Sequence, residues 1–153
     1  MKFSPKRIIL DNRLETKKNS YIFKTASNNN TVIFYKNAKK HKINYFKKKG
    51  IKLIRSDLYG NRYFNLKMIL KKLYKQGCRN LLVEGGNQLT GNFLKKNLFN
   101  QFYLFKSKKN LSKLVIYKDF KFIKDLTQNY KNKSNVQINL GKDIVTRYRK
   151  RNV

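Results

Sequence analysis

The chain has 153 residues, enough for one domain with a buried core, and its 40% hydrophobic and 14% aromatic content excludes wholesale disorder. Lys and Arg number 38 against 7 Asp and Glu, a formal net charge of +31. No apolar run approaches the ~20 residues that span a bilayer, and Cys78 alone cannot form an internal disulfide, so a reducing, cytoplasmic setting is the expectation.

Charge of this size points first to nucleic acid. The basic residues are nonetheless spread over every segment, and 30 are Lys while only 8 are Arg, the side chain whose planar fork suits specific recognition. The chain also has 20 Asn and only 2 Ala. That joint bias resembles compositional drift across an AT-rich proteome. The expectation is therefore a solvated basic surface, with nonspecific polyanion affinity as a by-product and no specific nucleic-acid partner.

In chain order, residues 6–11 read as a buried strand ending at Asp11. Asn12 and Arg13 at its exit are either a candidate ligand position or an ordinary turn. Residues 14–20 are polar and loop-like, 21–26 suit a short helical turn, and 27–30 form a loop. Residues 31–35 are a strand rich in β-branched and aromatic side chains. Residues 39–49 are a short basic amphipathic helix stopped by Gly50. It carries His41, the one histidine, with no metal-ligating neighbour in sequence; it reads as surface, and no metal is expected. A third strand covers 51–55 and a turn covers 59–61. Asn65 can cap a helix over 66–76, whose Leu66, Ile69, Leu70 and Leu73 make one stripe, and Gly77 ends it. Cys78 reads as a small filler.

Residues 80–90 are the most informative stretch. An apolar run of strand length breaks at Gly85-Gly86 and resumes with polar residues able to begin a helix over 87–98. That pattern predicts a parallel strand turning into a helix at its carboxyl end, where open α/β sheets bind ligands. Adjacent glycines admit close backbone approach, and the first N–H groups of a helix suit a phosphate. Glu84, one of only two glutamates, follows Leu-Leu-Val directly. It is either a structural carboxylate or a ligand-facing one. Beyond it, 102–105 reads as a strand, 106–110 as a basic loop, and 114–117 as a weak extended segment. Residues 118–133 are polar and carry no clear signal. Residues 136–140 and 144–148 alternate with period two about Gly141-Lys142-Asp143, an antiparallel hairpin. The fold class expected is α/β, a mainly parallel sheet flanked by helices with a C-terminal antiparallel hairpin. One domain covers 1–149, with a basic tail at 150–153.

Three blocks occur in a telling order. They are Arg7-Ile8-Ile9-Leu10-Asp11-Asn12-Arg13-Leu14, the run Gly77-Cys78-Arg79-Asn80-Leu81-Leu82-Val83-Glu84-Gly85-Gly86, and Leu140-Gly141-Lys142-Asp143. Together they resemble the reductase domain of bacterial riboflavin biosynthesis, the C-terminal half of a bifunctional pyrimidine deaminase/reductase. The resemblance runs along nearly the whole chain, and Val-Glu-Gly-Gly is its most specific part. It implies a dihydrofolate-reductase-like fold, NADPH as cofactor, a small-molecule substrate and a homodimer. The implied reaction reduces the ribosyl group of 5-amino-6-(5-phosphoribosylamino)uracil to ribityl. It further implies that Glu84 contacts substrate. Gly85, Gly86, Asn87, Gln88, Leu89, Thr90, Gly91 and Asn92 would hold the cofactor phosphates, and Asn12 would lie beside the cofactor.

The family's domain begins before its Arg-Ile-Ile-Leu-Asp strand, with a first strand and helix that add ligand contacts. The deaminase half needs His-x-Glu and Pro-Cys-x-x-Cys, which one His and one Cys cannot supply. The expectation is a truncated or split form of that reductase, whose activity alone is left open. Two other readings stand beside it: a nonenzymatic basic protein that binds polyanions, and a remnant that works only with a complementary N-terminal fragment.

Overall fold

The structure, a computed structural model, describes residues 5–27, 30–60, 62–108 and 122–150. The expected segment 114–117, residues 118–121 and the end of the basic tail, 151–153, lie outside them. The chain divides into two compact units, Met1–Arg79 and Asn80–Val153.

The first unit is built on a parallel sheet. Strands β1 (Arg7–Leu10), β2 (Thr31–Tyr35) and β3 (Lys52–Arg55) lie in the order β1-β2-β3. Both pairings are parallel and in register from Arg7↔Thr31 to Tyr35↔Arg55. β2 is central, and its first four residues are all buried because both faces are covered. Alternation sorts its side chains. Ile33 and Tyr35 join a cluster with Phe23 of helix α1 (Tyr21–Lys24) and Phe46 of helix α2 (Lys40–Lys48). Val32 and Phe34 join Ile69 and Leu73 of helix α3 (Leu66–Lys75) on the opposite face. Between β3 and α3, strands β4 (Leu58–Tyr59) and β5 (Tyr63–Phe64) form a two-residue antiparallel ribbon around the expected turn.

Helix ends in this unit follow the sequence signals. Asn65 accepts a hydrogen bond from the Met68 N–H at 3.3 Å and caps α3. Gly50 and Gly77 take positive φ after α2 and α3. At both, the N–H of the glycine and that of the residue after it turn back to the last helical carbonyls, closing the helix in a Schellman pattern. Ile51 carries the apolar contact of the α2 closure, packing in the same cluster as Phe46.

The second unit opens with α4 (Asn87–Lys95) and holds an antiparallel sheet of β6 (Gln101–Lys106), β7 (Lys133–Asn135) and β8 (Ile144–Arg149), with helix α5 (Ile123–Asn129) between β6 and β7. The order is β6-β8-β7. Its core is Leu94, Leu126 and Tyr148, ringed by Phe99, Phe102, Leu104, Phe122 and Tyr130.

Three expectations change here. Leu81, Leu82 and Val83 form no strand and are exposed, Leu82 by 82%. A short apolar run becomes a strand only where a neighbour supplies its ladder, which local pattern cannot reveal. The expected helix over 87–98 stops at Lys95, because Asn97 adopts positive φ and closes it as the glycines close α2 and α3. In the C-terminal hairpin, β8 forms as read, but its partner is Lys133–Asn135 and not 136–140. The Val136 N–H still bonds the Val145 carbonyl of β8 at 2.9 Å, but beyond it the Leu140 N–H bonds the Ile138 carbonyl only two residues back, a tight turn within the stretch expected to pair. Helix α5 falls in the polar stretch where no signal was seen, and Leu126 anchors it with 0% exposure.

Candidate functional site

In the first unit the candidate position is the carboxyl edge of the parallel sheet. β1 continues one ladder step, since the Asp11 N–H bonds the Phe34 carbonyl at 3.0 Å. The chain then turns sharply. The Asp11 carboxylate accepts hydrogen bonds from the Glu15 N–H at 2.9 Å, the Thr16 N–H at 2.7 Å and the Thr16 hydroxyl at 2.7 Å. Burial pushes the Asp11 pKa upward, but these donors together with the Arg13 backbone outweigh it and hold the group below its ordinary 3.8. Leu14 sits inside the loop at positive φ, a conformation an L-residue adopts at a cost, and its side chain is 1% exposed in the core. Asp11 is therefore a loop organiser.

Asn12 rides on that loop. Its carbonyl accepts the N–H groups of Lys36 and Asn37 at 3.0 and 3.1 Å, tying the exit of β1 to that of β2. Its side-chain Oδ1 is buried and has no hydrogen-bond partner. Among the described residues a buried acceptor without a donor is uncommon, and a water or a ligand group can supply one. An amide N–H or a hydroxyl would satisfy it. At the exits of β2 and β3, Lys36 pairs with the exposed Asp57, whose pKa Lys36 lowers by hydrogen bond and by charge.

In the second unit Glu84 lies in an exposed, irregular segment, and among the described residues no hydrogen bond or ion pair reaches it. Gly85 is crowded, because a Cβ there would stand 2.8 Å from the Leu89 side chain. At Gly86 a Cβ would meet nothing within 4 Å, so the space beside it is open. Gly86 is the N-cap of α4, with no side-chain cap and no acid in the first turn. The first turn thus adds no negative charge of its own at the positive end of the helix dipole, an end that suits an anion.

The remaining candidates divide by role. Gln88 is exposed at the head of the helix. Thr90 donates its hydroxyl to the Gly85 carbonyl at 3.1 Å and its N–H to the Gly86 carbonyl at 3.2 Å, bracing the corner from within. Asn92 donates to the Gln88 carbonyl along its own helix. Gly91 is buried under the Phe122 ring, where a Cβ would come within 2.2 Å. Its lack of a side chain is thus explained by packing. Asn12 belongs to the first unit and Glu84 with Gly85 to Asn92 to the second. Sequence reading missed Thr16 and Leu14; the one local hint was a short polar residue five places after Asp11.

A parallel sheet with open carboxyl strand ends in the first unit, and a glycine-headed helix with an antiparallel sheet in the second, make an α/β protein of the dihydrofolate-reductase-like fold class. Residues 1–107 match the model of the RibD C-terminal domain. The chain belongs to that family. The riboflavin biosynthesis protein RibD of Aquifex aeolicus is 34% identical over 142 residues, which cover 92% of this chain and 37% of that protein. Two solved structures show the same fold. Acinetobacter baumannii RibD superposes with a TM-score of 0.67 at 21% identity, over 95% of this chain and 37% of its own. A pyrimidine reductase-like protein of Corynebacterium diphtheriae gives 0.70 at 15% identity, over 97% and 62%. This chain thus spans little more than a third of the length of the RibD relatives. Among the described residues no helix is long and apolar enough to cross a membrane.

Proposed function

We propose that this chain is the NADPH-dependent reductase of riboflavin biosynthesis, reducing the ribosyl group of 5-amino-6-(5-phosphoribosylamino)uracil to ribityl. The observation that carries the reading is an unpartnered, exposed Glu84 next to the open Gly86 corner at the head of α4. The pyrophosphate would lie on that helix head. The cofactor, when bound, supplies a hydride to C1′ of the ring-opened ribosylamine. Glu84 faces the positive charge carried by the C1′=N group and lowers the energy of reaching it. A homodimer in the cytoplasm is part of the same proposal.

Single-turnover hydride transfer in Glu84→Gln against wild type tests it. The rate is expected to fall by about a hundredfold, the scale set by removing one preorganised electrostatic group, with NADPH affinity retained. An unchanged rate removes Glu84 from the chemistry.

A further inference from the structure

The sheet of the second unit has two unlike faces. One packs on its helices through Phe102, Leu104 and Tyr148. Opposed residues of an antiparallel ladder share a face. The pairings Tyr103↔Arg147, Gln101↔Arg149 and Phe105↔Val145 therefore set Tyr103, Phe105, Arg147 and Arg149 together on the other face with Val145, which is covered at 4% exposure, and Ser134↔Arg147 adds Ser134. There Phe105 is 65% exposed and Tyr103 45%. Solvated sheet faces are ordinarily polar, so two open rings at alternate positions of one strand need a reason. Arg147 donates from Nη2 to the Ser134 hydroxyl at 3.2 Å, while its Nε is buried with no acceptor. The three strands contain no acid, and of their four cations Arg147 and Arg149 lie on this face while Lys106 and Lys133 lie on the other. From Asn80 onward the chain has sixteen basic residues and four acidic ones.

We propose that this face binds single-stranded nucleic acid without reading its sequence. Bases stack on Tyr103 and Phe105, and phosphates lie along Arg147 and Arg149. Alternate residues of a strand stand about 7 Å apart, which leaves each ring room for its own base. Every base offers a π-face, so stacking tolerates any sequence, and arginine neutralises the backbone beside it. An acidic protein surface would use the charges and leave the rings idle. The face shares no residue with the reductase site and does not depend on it.

Fluorescence anisotropy on the full chain, with labelled oligothymidylate and a duplex of equal length, tests this. Single strand should bind more tightly than duplex. Tyr103→Ala and Phe105→Ala should each weaken single-strand binding about tenfold, the scale of one lost stacking contact, and leave duplex binding unchanged. Both rings are exposed, so the thermal midpoint should stay at the wild-type value. Arg149→Gln should reduce the dependence of log affinity on log salt by about one between roughly 50 and 200 mM. The proposal is overturned by equal affinity for single strand and duplex, by ring variants that bind as wild type, or by ring variants that instead abolish self-association.

Discussion

Asp11 and Glu84 show how one residue type serves two ends. Asp11 is gripped by three donors and shapes a loop; Glu84 is held by none. The grip on Asp11 has a pH signature. Its folded pKa lies below its unfolded value near 3.8, so its stabilisation is present above that value and is lost as pH falls through the lower, folded pKa. Asp11→Asn should cost about 1–3 kcal/mol at neutral pH, since it removes hydrogen bonds to a charged acceptor. Urea melts of the two proteins should differ at pH 7 and converge on acidification below about 4. A constant gap across that range would assign the loop to other contacts. Asp11 was legible in the sequence only as the end of a strand. Its partners Glu15 and Thr16 lie in a stretch that reads as plain polar loop, because a carboxylate turn depends on backbone direction and not on composition.

At the scale of elements, sequence reading worked where burial enforces periodicity. The β-branched and aromatic run of β2 and the stripe of α3 both came through because each faces a covered surface. It failed where pairing is long-range. Nothing local marks Lys133–Asn135, three polar residues, as the strand beside β8. Nothing local marks Leu81 to Val83 as lacking a partner. The glycines in the candidate corner also have separable causes, which composition merges. Gly91→Ala should drive a methyl into the Phe122 ring and destabilise the protein by about 1–3 kcal/mol, as overpacking does. Phe122→Leu in the same chain should recover part of that loss in thermal melts. Additive losses in the double variant would mean that the two residues do not meet.

For the whole molecule, a formal charge of +31 on 153 residues is a standing repulsion. Screening shortens its reach to about 8 Å at physiological ionic strength. The thermal midpoint should therefore rise as sodium chloride is added from low salt, and a flat or falling midpoint would show that the charges are already compensated. Family and fold were readable from three short blocks. The division of the chain at Arg79 and Asn80 was not, since no linker composition marks it.

The open space at Gly86 allows the proposed binding of NADPH to be tested apart from folding. Gly86→Asp should leave or raise the thermal midpoint, because aspartate is a favoured N-cap and its charge suits the head of α4. The same carboxylate would occupy and repel the seat of the pyrophosphate. Calorimetric titration with NADPH should show binding to wild type, and affinity for the folded Gly86→Asp variant reduced by about tenfold or more, the equivalent of ~1.4 kcal/mol. Equal NADPH affinity in the two proteins would contradict the placement of the cofactor on this helix.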